Sequence, residues 1–184
     1  MNRERRSAIT NAALATLACV LMLSCGDYGG DVHAGSRSYA PPDMAWRVWY
    51  PAPPWERRGA DATGVVLHVP SLFPSMNSTI LGDNVVLKIV STTGSAAAAL
   101  AGAIAGAAVT GDGAVVTQRP VALAHGASGI EVALLGPSHS LRIVAAETGP
   151  GRAVTLVFES TLDLRDDADV ADLLAHFELR PSGP

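Results

Sequence analysis

The histidines and serines are the residues that could perform acid–base or nucleophilic chemistry. His125 and Ser128 lie together in a glycine-rich segment, and a serine hydrolase requires such a base and nucleophile. The segment does not match the Gly-x-Ser-x-Gly spacing of a nucleophile elbow, because Ile130 stands where the second glycine belongs. His139, between two serines, is equally incomplete. Hydrolysis is therefore an alternative hypothesis, and the missing catalytic motif favours a protein that is not an enzyme.

Residues that commonly bind metals or cofactors do not form a recognisable pattern. The chain has five histidines, and no two show the i, i+4 spacing of a helical zinc motif. The Asp-rich stretch 163–172 lacks the glycine and glutamate of an EF-hand and is typical of a helix N-terminus. The chain has two cysteines, and Cys19 lies in an apolar amino-terminal segment that is typical of a removed signal, which would leave Cys25 without a disulfide partner. The sequence therefore predicts no metal, no cofactor and no disulfide.

The amino terminus has the features of a secretory signal. Three arginines in the first six residues precede an apolar run over residues 8–23, and a small residue, Ser24, follows it. Cys25 comes next, and the arrangement resembles the lipobox of bacterial lipoproteins. The resemblance implies that residues 1–24 are removed and that the Cys25 thiol is acylated, with palmitate among the acyl chains. Plain signal cleavage is the alternative.

The charge balance limits the classes of partner. The full chain has 13 basic and 17 acidic side chains, a formal charge of −4, and loss of the leader makes it more acidic. Phosphate neutralisation needs clustered Lys and Arg, so nucleic acid is not expected. For the same reason we expect the protein to be attached to a membrane by lipid rather than by charge. The expected location is the cell envelope, facing the periplasm or exterior, with the outer membrane as the default.

Composition divides the remaining chain into two parts. Residues 25–44 are rich in Gly, Ser, Pro and Asp, which is typical of a flexible tether behind the lipidated cysteine. Residues 45–184 contain the periodic apolar patterns and predict a single domain.

Large aromatic residues are crowded at the start of this domain. Trp46, Trp49, Tyr50 and Trp55 fall within ten residues. In a strand, Trp46 and Tyr50 share one face and Trp49 the other, so we expect the former to pack in the core. A recognition surface is the alternative function of such a cluster.

Two short segments are candidates for binding a partner. Arg57 and Arg58 follow the aromatic cluster and could contact an acidic partner; a solvated turn is the alternative. Residues 70–83 form a long connection between two predicted strands, and Phe73 and Met76 are the residues in it that we expect to contact a partner.

The elements that would position these residues are strands with two helices. Strands are predicted over residues 46–50, 64–69, 85–91, 114–118, 129–135, 140–146 and 153–161, the last two as a hairpin. A helix capped by Ser95 is predicted over 96–109, with Gly102 and Gly106 allowing close approach to a sheet. A second helix begins at Asp166 and ends at Pro181, with an apolar stripe that includes Phe177. This order predicts an α+β fold, a largely antiparallel sheet with helices packed on it.

Residues 45–181 resemble the PsbP-like fold, which includes DcrB-like bacterial lipoproteins. The likeness lies in the opening strand with Tyr50-Pro51 and Trp55, the helix after the third strand, the late hairpin, and the stretch from Val154 to Phe177. The resemblance implies an extrinsic, membrane-attached factor that binds or assembles other envelope components. We therefore expect a non-enzymatic envelope lipoprotein; a hydrolase using His125 and Ser128, or a structural spacer, are the alternatives.

Overall fold

A computed structural model describes residues 35–43, 45–70, 83–110, 114–136 and 139–180. Within these ranges the chain forms ten β-strands and two α-helices. The strands are β1 (Ser36–Tyr39), β2 (Trp46–Pro51), β3 (Glu56–Ala60), β4 (Gly64–Pro70), β5 (Asp83–Thr93), β6 (Ala114–Ala122), β7 (Ser128–Leu135), β8 (Ser140–Gly149), β9 (Arg152–Ser160) and β10 (Phe177–Leu179), and the helices are α1 (Ala96–Thr110) and α2 (Ala168–Ala175).

The strands form two antiparallel sheets. The larger sheet has seven strands in the order β3-β4-β5-β9-β8-β7-β6, and the smaller has three in the order β1-β2-β10. Helix α1 packs on β7, β8 and β9, and α2 contacts β2. The predicted α+β class, a largely antiparallel sheet with helices packed on it, is confirmed.

The two faces of the large sheet bury different cores. On β9, Val154, Leu156 and Phe158 belong to the main core, which also contains residues of the small sheet and α2. Ala153 and Val157 belong to a second cluster with α1. This alternation follows from the period-two geometry of a strand that is covered on both faces.

The aromatic cluster packs as the strand pattern predicts. Trp46, Tyr50 and Trp55 are buried, and Trp49 lies on the opposite, partly exposed face of β2. The Trp46 ring stacks against Phe177 with centroids 5.6 Å apart, and its indole N–H donates to the Ser91 hydroxyl at 2.9 Å. The ring contact lies within the small sheet, and the hydrogen bond to Ser91 of β5 joins the small sheet to the large one.

Helix α1 has the predicted cap but a different orientation. The Ser95 hydroxyl accepts a hydrogen bond from the Ala98 N–H at 3.2 Å. Gly102 and Gly106 face away from the sheet, since no atom lies within 4 Å of where a Cβ would stand at either position. The prediction that the helix packs on a sheet is confirmed, but the role given to the glycines is wrong, because the side that packs contains Leu100 and several alanines instead.

The carboxyl-terminal helix is shorter than predicted. Asp167, not Asp166, is the N-cap, and its carboxylate accepts from the Val170 N–H at 3.0 Å. The helix ends at Ala175, well before Pro181, because Phe177 begins β10 and pairs with Val48 of β2. Phe177 is fully buried, as the apolar stripe predicts, but it reaches the core from a strand.

The domain also begins earlier than residue 45. Residues Ser36–Tyr39 form β1 and pair with β2, so they are not part of a tether. Tyr39 lies against Trp46, with ring centroids 5.7 Å apart. Cross-strand pairing and this aromatic contact order a segment whose composition alone predicts flexibility.

No helix in the described ranges combines the length and apolar character needed to cross a bilayer.

Candidate functional site

A groove of about 720 Å³ opens where an edge strand of each sheet lies close to the other. We call it the edge groove. Its lining comes from β1, β3 and the connection between β2 and β3, and consists of Arg37, Ser38, Tyr50, Ala52, Pro53, Trp55, Glu56 and Arg57. Its size falls in the range of ordinary ligand sites, about 300–1,000 Å³.

Two arginines enter the edge groove, one from each sheet. Arg37 stands opposite Tyr50 in the small sheet, and Arg57 stands opposite Leu67 in the large one. Directly paired residues share a face, and Tyr50 and Leu67 are both buried in the main core. Arg37 and Arg57 therefore project at the margin of that core, where both are exposed.

Neither guanidinium has a counter-ion among the residues that the structure describes. Within the described ranges, Arg37 and Arg57 make no ion pair and no side-chain hydrogen bond. The acidic residue that lines the groove, Glu56, has a carboxylate oxygen 3.8 Å from Nε2 of His68. The groove is therefore positively charged, although the chain as a whole is acidic.

The floor of the edge groove is aromatic and rigid. Trp55 is 1 % exposed and Tyr50 is 3 % exposed. The Trp55 N–H donates to the Pro51 carbonyl at 3.1 Å, which fixes the turn that carries the indole. Buried aromatic rings below exposed cations provide a preformed apolar surface with polar groups at its rim, the usual composition of a binding site.

A hydrogen bond between the sheets braces one end of this region. The Tyr39 hydroxyl donates to the Asp61 backbone carbonyl at 2.7 Å. Burial, and then the Asp61 charge, raise the pKa of Tyr39, so its phenol keeps the proton that it donates. Hydrogen bonds from the Thr63 hydroxyl and from the N–H groups of Thr63 and Gly64 lower the pKa of Asp61.

A second polar cluster lies on the outer face of the small sheet. One carboxylate oxygen of Glu178 accepts from the Trp49 indole N–H at 2.9 Å, and the other accepts from Arg180 at 3.3 Å. The Arg47 guanidinium lies 5.3 Å from the Trp49 ring centroid. Burial alone would raise the pKa of Glu178, but the Trp49 and Arg180 hydrogen bonds and the Arg180 and Arg47 charges outweigh it, so the pKa is lowered.

His125 lies beside this outer cluster. Its Nε2 lies 3.7 Å from Glu178, and its backbone is left-handed, with φ 56° and ψ 30°. Among the described residues, no hydrogen bond joins the side chains of His125 and Ser128.

A third charged cluster is internal. Glu131 and Arg142 are 1 % and 4 % exposed, and the guanidinium of Arg142 meets the Glu131 carboxylate at 2.7 and 2.8 Å. Arg119 donates to the other carboxylate oxygen at 3.0 Å, and Arg142 also donates to the Leu164 carbonyl at 3.3 Å. These bonds attach the connection after β9 to the sheet, which is a structural role.

The structure brings only part of the predicted contact set together. Arg57 lines the edge groove, whereas Arg58 is at the β-bulge that shifts the register of β3 against β4. Phe73, Met76 and Cys25 lie outside the described residues. Arg37 was not predicted, because it falls in the supposed tether; the polar alternation of residues 36–39 is a weak signal for a strand. Within the described ranges, no three His, Cys, Asp or Glu residues are grouped to hold a metal.

The chain has weak similarity to a solved structure and no match among family models or curated proteins. One similar solved structure is a crystal structure at 1.50 Å of a protein from Bacteroides thetaiotaomicron VPI-5482, with 12% identity and a TM-score of 0.42. The match covers 82% of this chain and 50% of that one, so this chain spans about half the length of that protein.

Proposed function

We propose that this protein is a non-enzymatic, lipid-anchored protein of the bacterial cell envelope that binds an anionic partner in the edge groove. The observation that carries the proposal is the pair of exposed arginines, Arg37 and Arg57, which lie over a buried aromatic floor without a counter-ion in the described chain.

The chemistry of arginine supports an anionic ligand. A guanidinium is charged at every physiological pH and offers a planar set of donors that matches carboxylate or phosphate. Two like charges in one groove repel each other, and the Glu56 carboxylate beside His68 lies on the far side of β3 from the core. An anion bound between Arg37 and Arg57 would remove that repulsion and would leave the fold unchanged.

The amino-terminal sequence supports the location. Acylation of Cys25 would hold the protein at a membrane through lipid, and two or more acyl chains anchor stably where a single chain binds only marginally. The PsbP-like and DcrB-like resemblance fits an extrinsic factor of this kind, and the large antiparallel sheet with helices packed on it supports that finer assignment.

Binding and anchoring are tested separately. The full chain, extracted from membranes in detergent, is titrated with tetraglutamate by calorimetry at low salt. The variant with Arg37→Ala and Arg57→Ala should bind at least tenfold more weakly. Arg152→Ala with Arg165→Ala is the matched control, because both are surface arginines that already pair with carboxylates, Asp43 and Asp163. This control removes the same charge and should bind within about twofold of wild type.

Two results would overturn the binding proposal: wild type that does not bind tetraglutamate, or an equal loss of affinity in both double variants. For the anchor, the intact mass of the membrane-extracted protein should show cleavage before Cys25 plus acyl chains. Cys25→Ala should move the protein to the soluble fraction, and retention of this variant in the membrane would contradict the lipid assignment.

A further inference from the structure

We infer that the anionic partner is an extended acidic polypeptide segment that adds as a new strand to the free edge of β3; this inference rests on the proposed function. It combines two features that share the edge groove, an unpaired strand edge and the two arginines.

The free edge of β3 supplies the backbone partners. β3 pairs with β4 on one side, and in the described part of the chain it is the last strand of the large sheet. All five of its residues are exposed. Unpaired N–H and C=O groups on an edge strand are a template for another strand, and several peptide-binding domains use this mode.

The sequence of β3 argues against a second copy of this chain as the occupant. Antiparallel pairing of two β3 strands over their full length would place Arg58 opposite itself, and one register shifted by a single residue would place Arg57 opposite Arg58. Like charges directly opposite each other destabilise a strand pair, and a bulge at this position also hinders symmetric pairing. An acidic strand would replace this repulsion with attraction.

The direction of the Arg57 side chain favours a partner strand with carboxylates at every second position. Arg57 projects on the core side of β3, toward the groove that Arg37 enters from the small sheet. A strand beside β3 would lie about 4.8 Å away and would turn every second side chain to that same side. Carboxylates at alternate positions would therefore reach Arg57, and the groove would place them before Arg37 as well.

A small anion makes less use of the groove. Arg37 and Arg57 come from different sheets, and the groove that both line has a volume of about 720 Å³, far more than one small anion fills. A strand can meet both arginines with separate carboxylates and also satisfy the edge of β3. Inorganic phosphate would leave that edge unpaired, so it is the competing occupant that the experiment must reject.

The experiment compares anions that differ in backbone donors. The detergent-extracted full chain is titrated with the hexapeptide Val-Glu-Val-Glu-Val-Glu, with the same peptide methylated at every backbone nitrogen, and with inorganic phosphate. The unmodified peptide should bind at least tenfold more tightly than the methylated peptide, which has the same charge but cannot donate along a strand edge. Phosphate at equal concentration should not displace it.

Hydrogen exchange gives a second readout. On binding the hexapeptide, the amides of β3 should exchange more slowly, whereas those of β6, the opposite edge of the same sheet, should not change. Equal binding of both peptides that is lost with Arg37→Ala and Arg57→Ala would keep the anion-binding function and overturn strand addition. Displacement by phosphate would do the same. Failure of every anion, including tetraglutamate, would overturn the proposed function itself.

Discussion

Replacing Glu131 with glutamine tests how much the buried ion network contributes to stability. The Glu131 carboxylate takes two contacts from Arg142, at 2.7 and 2.8 Å, and one from Arg119 at 3.0 Å. Glutamine keeps the shape of the side chain but removes the charge. The Arg142 guanidinium, whose side chain is only 5 % exposed, would then lie buried without a counter-ion.

The expected loss is large compared with the stability of a domain of this size. Removing one partner of a buried pair costs about 3–5 kcal/mol, because the other charge stays desolvated. Arg119 adds little to this cost, since its side chain is half exposed and water can solvate it. A small domain has about 5–15 kcal/mol in total. With an m-value of about 1–3 kcal/mol/M in urea, the unfolding midpoint should fall by at least about 1 M.

Urea unfolding followed by tryptophan fluorescence measures this shift. The matched control is Glu147→Gln on the neighbouring strand, where the glutamate is exposed; it should change stability by less than about 0.5 kcal/mol. A variant that replaces both Glu131 and Arg142 by leucine and methionine should lose less than Glu131→Gln alone, because no buried unpaired charge remains and water solvates the half-exposed Arg119. A loss below about 1 kcal/mol for Glu131→Gln would refute the reasoning.

Three further predictions concern single positions. The pKa of Glu178 is lowered in the folded state, so its contribution to stability is present above the unfolded pKa of about 4.3 and is lost as pH falls through the lower folded value. The difference in urea midpoint between wild type and Glu178→Gln should therefore be largest at pH 7 and shrink below about pH 4. A difference that does not change with pH would contradict this prediction. Asp167→Ala should cost about 0.5–2 kcal/mol through loss of the α2 cap, whereas Asp169→Ala in the same turn should cost less, as judged by urea midpoints. Gly64→Ala should give little folded protein by circular dichroism, because its Cβ would lie 2.0 Å from the Ile89 carbonyl oxygen, while Gly59→Ala, with open space around it, should fold normally.

The sequence predicted the elements that carry their own apolar pattern. The strands from β6 to β9 and the aromatic side of β2 contain strand-forming apolar runs, and the α1 helix is rich in alanine, the best helix former. Strands β1, β3 and β10 were missed or misread. Ser36–Tyr39 and Glu56–Ala60 contain little apolar sequence, and Phe177–Leu179 is too short to show a period. Each exists because a neighbouring strand pairs with it, and that information is not local.

The same limit explains what was found of the site. Arg57 was a candidate because it follows an aromatic cluster in sequence. Arg37 joins it only through the packing of two sheets, which brings residues from separate strands into one groove. The orientation of α1 was similarly unpredictable from its glycines, because the bulk of Leu100 decides which face is buried.

Arg142 and Arg57 both lie on the side of the large sheet that faces the main core, but only Arg142 is paired with a carboxylate of the described chain. Arg142 stands opposite Phe158 on the core-facing side of β8, and the chain supplies Glu131 to neutralise it. Arg57 stands opposite Leu67 on the same side of the large sheet, but the described chain supplies it with no carboxylate. At Arg142 the charge is sealed inside and stabilises the fold; at Arg57 it remains exposed beside a strand with a free edge. A carboxylate arriving from another chain would therefore do for Arg57 what Glu131 does for Arg142, with the difference that it can leave.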